Sequence, residues 1–369
     1  MFLKTINLIN FRNYQELFLN IERPKLIILG DNSQGKTNLL EVVQIFSTGK
    51  SKRAAKDAQL VNFNAENAVI HAKILRENAN DLNIAMMIRR SGRRTLKINE
   101  VNMKPKDINH KLYSVSFMVD DLNIVSGSPS SRRDWLDTIL EQLYLPYGER
   151  LTKFEKALSQ RNSFIKSCLE KDFFYNNLLL AFQEQLSIWD ELFINAANEL
   201  TKYRYELVTK ISPLIERYYQ DIAGEALSLR LEYLGKMLSL EDLKADHKLD
   251  FIRACTSHGP QRDDIDFMLK EQLASDFASQ GEKRSIVLAL KLTEIELLKE
   301  EHGLQPILLL DDVLAELDEA RQDHLLEAIS NDTQVIITTT HLGKHLQKWS
   351  ENAQIISIKA GALVEYAKS

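Results

Sequence analysis

Gly30-Asp31-Asn32-Ser33-Gln34-Gly35-Lys36-Thr37 fits the spacing GxxxxGK[ST], and it follows the apolar run Lys25-Leu26-Ile27-Ile28-Leu29 directly. Glycines at those places let a backbone curl until several N–H groups converge on phosphate oxygens. The lysine then reaches the outer phosphates, and the hydroxyl of Thr37 is placed to hold Mg²⁺. The chemistry implied is binding of a nucleoside triphosphate such as ATP, with Gly30, Asn32, Gly35, Lys36, Thr37 and Asn38 as the candidate contacts. A glycine turn joining any strand to any helix is the plain alternative. The full pattern between an apolar run and the helical segment Asn38 to Phe46 favours the phosphate reading.

Three further segments carry matching chemistry. Ile307-Leu308-Leu309-Leu310-Asp311-Asp312 is an apolar strand ending in two carboxylates. Asp311 suits a Mg²⁺ ligand acting through water, and Asp312 suits a residue that orients or deprotonates an attacking water. Many buried strands end in a surface acid, so this signal gains weight only beside a phosphate loop. Glu316-Leu317-Asp318 adds acids just beyond it. Ser279-Gln280-Gly281-Glu282 opens a helical segment and fits a capping box, S-x-x-E. The same free N–H groups suit a phosphate, so capping and ligand binding are compatible there. Thr338-Thr339-Thr340-His341 follows the apolar run Val335-Ile336-Ile337, which makes His341 a candidate γ-phosphate sensor beside Thr340.

These motifs need strands and helices to hold them. Short β-rich runs occupy Leu17 to Ile21, Ala68 to Ala72, Leu82 to Ile88 and Thr95 to Ile98, the last two joined by the Ser91-Gly92 turn. From Arg132 to about Ala223 glycines are few and apolar residues recur at helical spacing. Leu186, Trp189, Leu192, Phe193, Ala196, Ala197 and Leu200 fall on one face. No heptad pattern runs long enough for an extended coiled coil, which points to a compact helical lobe. After Leu227 strands return, and then helix (Leu288–Leu298), strand (Pro306–Leu310), helix (Ala320–Ile329) and strand (Val335–Thr338) alternate. Such alternation predicts a parallel α/β sheet covered by helices. The expected fold is α/β, a P-loop nucleotide-binding head built from residues 1–130 and 250–369, with a mainly helical lobe over 131–249 inserted between them.

Composition narrows the class. Over 369 residues the charged fraction is 27% and the formal net charge is -5, an ordinary balance for a globular protein. It excludes a chain coated in basic surface, although nucleic acid needs only a local basic stripe. Two such stripes exist: Lys50, Lys52, Arg53 and Lys56, and then Arg89, Arg90, Arg93 and Arg94. Solvated loop charges are the commoner meaning of such clusters. Neither stripe is interleaved with aromatics, so backbone contact with duplex DNA is expected rather than base stacking. Two cysteines offer no disulfide framework or metal cluster. The start of the chain lacks a signal-peptide pattern and no run has membrane-spanning length, so a cytoplasmic or nucleoid-associated protein without membrane contact is expected.

Taken together, the phosphate loop, the Ser-Gln-Gly-Glu-Lys-Arg helix start, the strand ending in Asp311-Asp312, the Glu-Leu-Asp turn and the Thr-Thr-Thr-His segment resemble the ATP-binding-cassette (ABC-type) head of the SMC and RecF group. Finer motifs are similar to the RecF family in particular. These are Leu8 to Tyr14, Gly35 to Glu41, Gly127 to Arg133, Gly259 to Asp264, Phe277 to Gly281 and Leu310 to Asp318. SMC proteins would carry far longer coiled coils, and transporter ATPases would place the serine-glycine segment nearer the phosphate loop. The resemblance implies an ATP-dependent homodimer in which Ser279 and Gly281 of one head face the phosphate loop of the other. It further implies Arg12 as a nucleotide contact, slow and DNA-stimulated ATP hydrolysis, and binding of double-stranded DNA near single-strand gaps. The implied partners are RecR and RecO, which help load RecA. An ABC-type ATPase driving a different protein partner is the alternative. Three departures stand out: Ser33 replaces a usual glycine, Val119 a proline, and Gln261 a histidine. The segment around Asp120 and Asp121, which couples motions in relatives, has an open role here.

Overall fold

The computed structural model describes residues 1–369 except 77–79, 171–175, 224–226, 330–332, 344–345, 347–348 and 365–369. The chain forms two compact units, residues 1–121 with 287–369, and residues 122–286.

In chain order the first unit opens with β1 (Phe2–Phe11), β2 (Tyr14–Asn20), β3 (Lys25–Leu29), α1 (Lys36–Thr48), β4 (Asn67–Leu75), β5 (Leu82–Arg89), β6 (Thr95–Ile98), β7 (Val101–Met103) and β8 (Ser114–Phe117). The second unit holds α2 (Asn123–Ser126), α3 (Pro129–Leu143), α4 (Tyr147–Glu170), α5 (Asn176–Ala223), β9 (Leu229–Leu234), α6 (Leu240–Arg253), β10 (Asp264–Leu269), β11 (Gln272–Leu273) and α7 (Ala274–Phe277). The helix α8 (Gln280–His302) spans the boundary, and β12 (Ile307–Asp311), α9 (Glu319–Ala328), β13 (Val335–Thr339), β14 (Gln354–Lys359) and β15 (Ala362–Val364) complete the first unit.

Two sheets build the first unit. One has the order β15-β14-β3-β13-β12-β8, parallel except for the β14–β15 hairpin. Leu26, Ile27 and Ile28 of β3 are all fully buried, as expected for a strand covered on both faces. The parallel register sets the carboxyl ends of β3, β13 and β12 side by side: Thr339 pairs with Leu29, and Thr338 with Asp311. The other sheet is antiparallel, with the order β2-β1-β4-β5-β6-β7. Along β4 and β5 buried and more exposed residues alternate, so one face joins the core and the other meets water. The expected hairpin across Ser91-Gly92 is present, with Met87 opposite Thr95.

The second unit is led by helices. As α4 ascends its partners on α5 descend: Arg150 meets Glu199, Phe154 meets Phe193, Arg161 meets Asp190 and Phe164 meets Trp189. The two helices are therefore antiparallel. At 48 residues α5 runs about 72 Å, far longer than a compact lobe suggests. The periodic face of α5 is also narrower than expected, since Leu192 is 51% exposed while Leu186, Phe193, Ala196, Ala197 and Leu200 are buried.

The division between units differs from the expected 131–249 lobe. The antiparallel sheet β11-β10-β9 packs against α3 and α5, which draws residues 250–286 into the second unit. Gly259 to Asp264 and Ser279 to Glu282 therefore lie with the helices. The helix α6, which has weak periodicity, was not anticipated; Ser239 caps it, accepting from Asp242 N, while the Asp242 side chain accepts from Ser239 N.

Candidate nucleotide site

The loop between β3 and α1 has the backbone that its sequence demands. Gly30 and Gly35 have φ of 158° and 113°, and a Cβ would stand 2.5 Å from Ile358 O at Gly30 and 2.6 Å from the Asn13 side chain at Gly35. Neither place admits a larger residue without displacement. Ser33 also has positive φ, 66°, so a residue with a Cβ is held here in a left-handed conformation that a glycine would adopt freely.

The loop is braced from behind by residues whose roles sequence reasoning had not assigned. Asn13 Nδ2 donates to Gln34 O at 2.9 Å, and Tyr14 Oη donates to Gly35 O at 2.7 Å. Burial pushes the Tyr14 pKa well up, so the hydroxyl stays a donor. Ala360 N donates to Gln34 Oε1 and Gly361 N to Gln34 O. Asn13 and Tyr14 lie within the Leu8 to Tyr14 motif, but nothing in the sequence connects residue 34 with residue 360.

Four anticipated residues come together at the mouth of this loop. Lys36 is 4% exposed, and its Nζ donates to Gly30 O (2.8 Å) and Asp31 O (3.2 Å) and lies 3.6 Å from Asp312 Oδ2. Thr37 Oγ1 donates to Asp311 Oδ1 at 3.0 Å. Thr338 Oγ1 donates to the same oxygen at 2.6 Å, which fixes the carboxylate from the neighbouring strand. Asp312 has a positive φ of 53° just past the strand end, which turns its side chain out of the β12 register. Its N–H donates to Thr338 O and Oγ1. Thr37 and Asp311 present the hard oxygen ligands that suit Mg²⁺, with the remaining positions left to water and phosphate oxygens.

Other candidates are placed differently. Asn38 Nδ2 donates to Asn13 Oδ1, and its Oδ1 accepts from Arg53 Nη1, so Asn38 bridges the loop brace to a basic residue. Asn32 is exposed on the loop. Arg12 is bound bidentately by Glu41, through Nε at 2.9 Å and Nη2 at 2.6 Å, while Nη1 donates to Gln59 O. Glu41, fully buried on α1, thus commits the guanidinium that resemblance offers to the nucleotide. His341 is exposed two residues beyond Thr339, and its Nδ1 is 3.0 Å from Thr340 Oγ1. In the second unit Ser279 and Glu282 make the capping box: Ser279 N donates to Glu282 Oε2 (2.8 Å) and Glu282 N to Ser279 Oγ (3.2 Å). Hydrogen bonds from Ser279 hold the Glu282 carboxyl below its ordinary pKa. Gly281 sits in the first turn of α8.

The segment around Asp121 gains a partner that sequence reasoning missed. Lys291 of α8 is 1% exposed, with Nζ 2.9 Å from Glu294 Oε1 and 3.6 Å from Asp121 Oδ1. These carboxylates hold its pKa above the ordinary lysine value against the opposing effect of burial. Asp121 also accepts from Met118 N, one residue past β8.

The basic clusters divide by what holds them. Arg94 grips both oxygens of Asp57 at 2.6 Å and donates to Gly49 O at the end of α1. Arg90 donates to the carbonyls of Asn62, Phe63 and Ala65. Both are internal braces. Lys50, Lys52, Arg53, Lys56 and Arg93 are exposed, and Arg89 donates to Arg93 O across the turn.

Comparison with known proteins places this site in context. The family model described as RecF/RecN/SMC N terminal domain matches residues 2–363. The chain is 39% identical over 377 residues to the DNA replication and repair protein RecF of Gloeobacter violaceus, covering 98% of each. It is 37% identical over 386 residues to that of Gloeothece citriformis, covering 99% of this chain and 100% of the relative. Among solved structures, the recombination mediator protein RecF with ATP in the RecFOR pathway superposes with a TM-score of 0.87 at 28% identity, over 99% of this chain and 98% of that one. An Smc head from Pyrococcus furiosus gives 0.55 at 18% identity, with 99% and 96% coverage, and shows the shared fold alone.

Proposed function

The chain belongs to the RecF family of the RecF/RecN/SMC N-terminal-domain ATPases, with an ABC-type head, and from that membership we propose that it is an ATP-switched, DNA-binding recombination mediator. The observation that carries this reading is the joining of Lys36 and Thr37 to Asp312 and Asp311 at the carboxyl end of β12. Lys36 reaches the outer phosphates of ATP. Thr37 and Asp311 hold Mg²⁺, whose charge offsets that of the phosphates, and Asp312 orients the attacking water. Slow turnover fits the single carboxylate reach of Asp312, which is shorter than that of a glutamate.

Ser279, through its hydroxyl, and Gly281, through its backbone N–H, supply a second, separate set of donors at a helix start. In the proposed homodimer each nucleotide lies between the phosphate loop of one copy and this helix start of the other, so closure requires ATP. Hydrolysis then releases the dimer. The dimer binds double-stranded DNA near single-strand gaps, doubling the exposed basic residues Lys52, Arg53 and Arg93, with the half-buried Arg89 beside them, along one path. Affinity from phosphate contacts falls steeply with salt, so a net acidic monomer binds weakly and the ATP-closed dimer binds well. RecR, with RecO, is the proposed protein partner, and RecA loading the proposed outcome. DNA-stimulated hydrolysis in the cytoplasm completes the reading.

Sedimentation of the protein with Mg²⁺ and no nucleotide, ADP or ATP tests it. A monomer that becomes a dimer with ATP alone supports the composite site. A monomer that binds ATP yet never dimerises overturns it and favours an ATPase acting on another protein partner.

A further inference from the structure

Phe63 stands 90% exposed at the tip of a turn over residues 62–65. A single surface phenyl is ordinary. Its support is not. Asn62 N donates to Asn10 O at 2.8 Å, Asn62 Nδ2 to Arg12 O at 2.8 Å, and Ala65 N to Asn62 O at 3.0 Å. Arg90 adds three more bonds, to the carbonyls of Asn62 (2.6 Å), Phe63 (3.0 Å) and Ala65 (3.0 Å). The backbone of the turn is thus held from β1 on one side and from the end of β5 on the other, while the ring projects into water.

The turn that carries Phe63 shares its end of the sheet with an arginine-bearing turn. Asn67 pairs with Arg89, and Arg90 N donates to Glu66 O at 2.9 Å, so this turn and the turn over residues 89–94 leave the sheet at the same end. Arg93 is exposed at the second turn, and Arg89 fixes that turn by its bond to Arg93 O. The tertiary structure therefore sets an aromatic beside a basic cluster that contains none in sequence. A fixed aromatic face flanked by cations is the arrangement that stacks a base while its phosphates are neutralised.

We propose that Phe63 is a stacking finger for an unpaired nucleobase, with Arg89 and Arg93 on the flanking phosphates, so that this end of the sheet reads the junction between single strand and duplex. The inference rests on the DNA-binding reading above and gives it a substrate. Stacking of one base on an aromatic is worth about tenfold in affinity.

The test compares two DNA probes with ATP and Mg²⁺ present: a blunt duplex, and the same duplex with a short single-stranded overhang carrying 2-aminopurine at its first unpaired position. Fluorescence anisotropy gives affinity and 2-aminopurine emission reports stacking. Phe63→Ala is expected to weaken overhang binding about tenfold, leave the blunt duplex unchanged and abolish the emission change, while Phe63→Trp retains all three. Overhang binding and emission like those of the parent overturn the proposal. So does an equal loss on both probes, which makes Phe63 a general contact. Failure of the parent itself to bind either DNA with ATP defeats the DNA-binding reading, and is seen without any variant.

Discussion

Thr37 Oγ1 and Thr338 Oγ1 both donate to Asp311 Oδ1, at 3.0 and 2.6 Å, so a residue of the phosphate loop and one of a neighbouring strand fix the same carboxylate oxygen. This convergence joins the two halves of the nucleotide site. It also separates the roles of the two adjacent acids, since Asp311 is 9% exposed and held from two sides, while the Asp312 side chain is 33% exposed and turned toward Lys36.

Lys36→Ala is expected to lose ATP binding. Asp312→Asn is expected to bind ATP and remain a dimer, with turnover at least about a hundredfold slower, the scale of losing a positioned general base. Equilibrium binding of a fluorescent ATP analogue and phosphate release measure the two effects. Parent-rate turnover by Asp312→Asn would remove that residue from its role.

Ser33→Gly should stabilise the protein by about 0.5–1 kcal/mol, because a left-handed residue is relieved of its Cβ penalty, partly offset by greater freedom of the unfolded chain. The observation behind it is the Ser33 φ of 66°. Denaturant unfolding decides the matter, and a destabilised variant would mean that the Ser33 side chain contributes more than its conformation costs.

Arg93 and Arg94 are neighbours with opposite expectations. Arg93→Ala should weaken DNA binding, flatten its dependence on salt and leave the melting temperature alone. Arg94→Ala should lower stability by about 1–3 kcal/mol, since it strands Asp57 and the Gly49 carbonyl. Thermal melts alongside salt titrations of DNA affinity distinguish them, and swapped outcomes would refute the division of this cluster into contact and brace.

His110 should make the protein less stable on the acid side. Burial, then the nearby His302 and Lys111, lower its pKa below 6.5. The unfolded chain therefore binds the proton more readily than the folded one. The stability that neutral His110 allows is present above pH 6.5 and is lost as pH falls through the lower folded value. His110→Asn, which suits the positive φ of 64° at this position, should flatten the fall in melting temperature between pH 7 and 5. An unchanged slope would assign the acid sensitivity to other groups.

Local chemistry follows from the order of residues alone. Glycines at 30 and 35 with Lys36 and Thr37 specify a curled backbone and a cation wherever that loop is placed, because those constraints act within a few residues. The apolar runs ending at Leu29, Asp311 and Thr339 likewise specify buried strands, and their alternation with helices specifies a parallel sheet. Which partner each charge meets depends on how the strands and helices pack. Glu41 takes up two nitrogens of Arg12, and Asp121 and Glu294 enclose Lys291 on α8, pairings that no local pattern announces. Arg90, Arg93 and Arg94 are alike in sequence, and strand register alone makes one a brace for Phe63, one an exposed charge and one a clamp on Asp57. The physical reason is range: backbone conformation and hydrophobic period are set by near neighbours, whereas hydrogen bonds and ion pairs form between whichever groups the packed strands bring within about 3 Å.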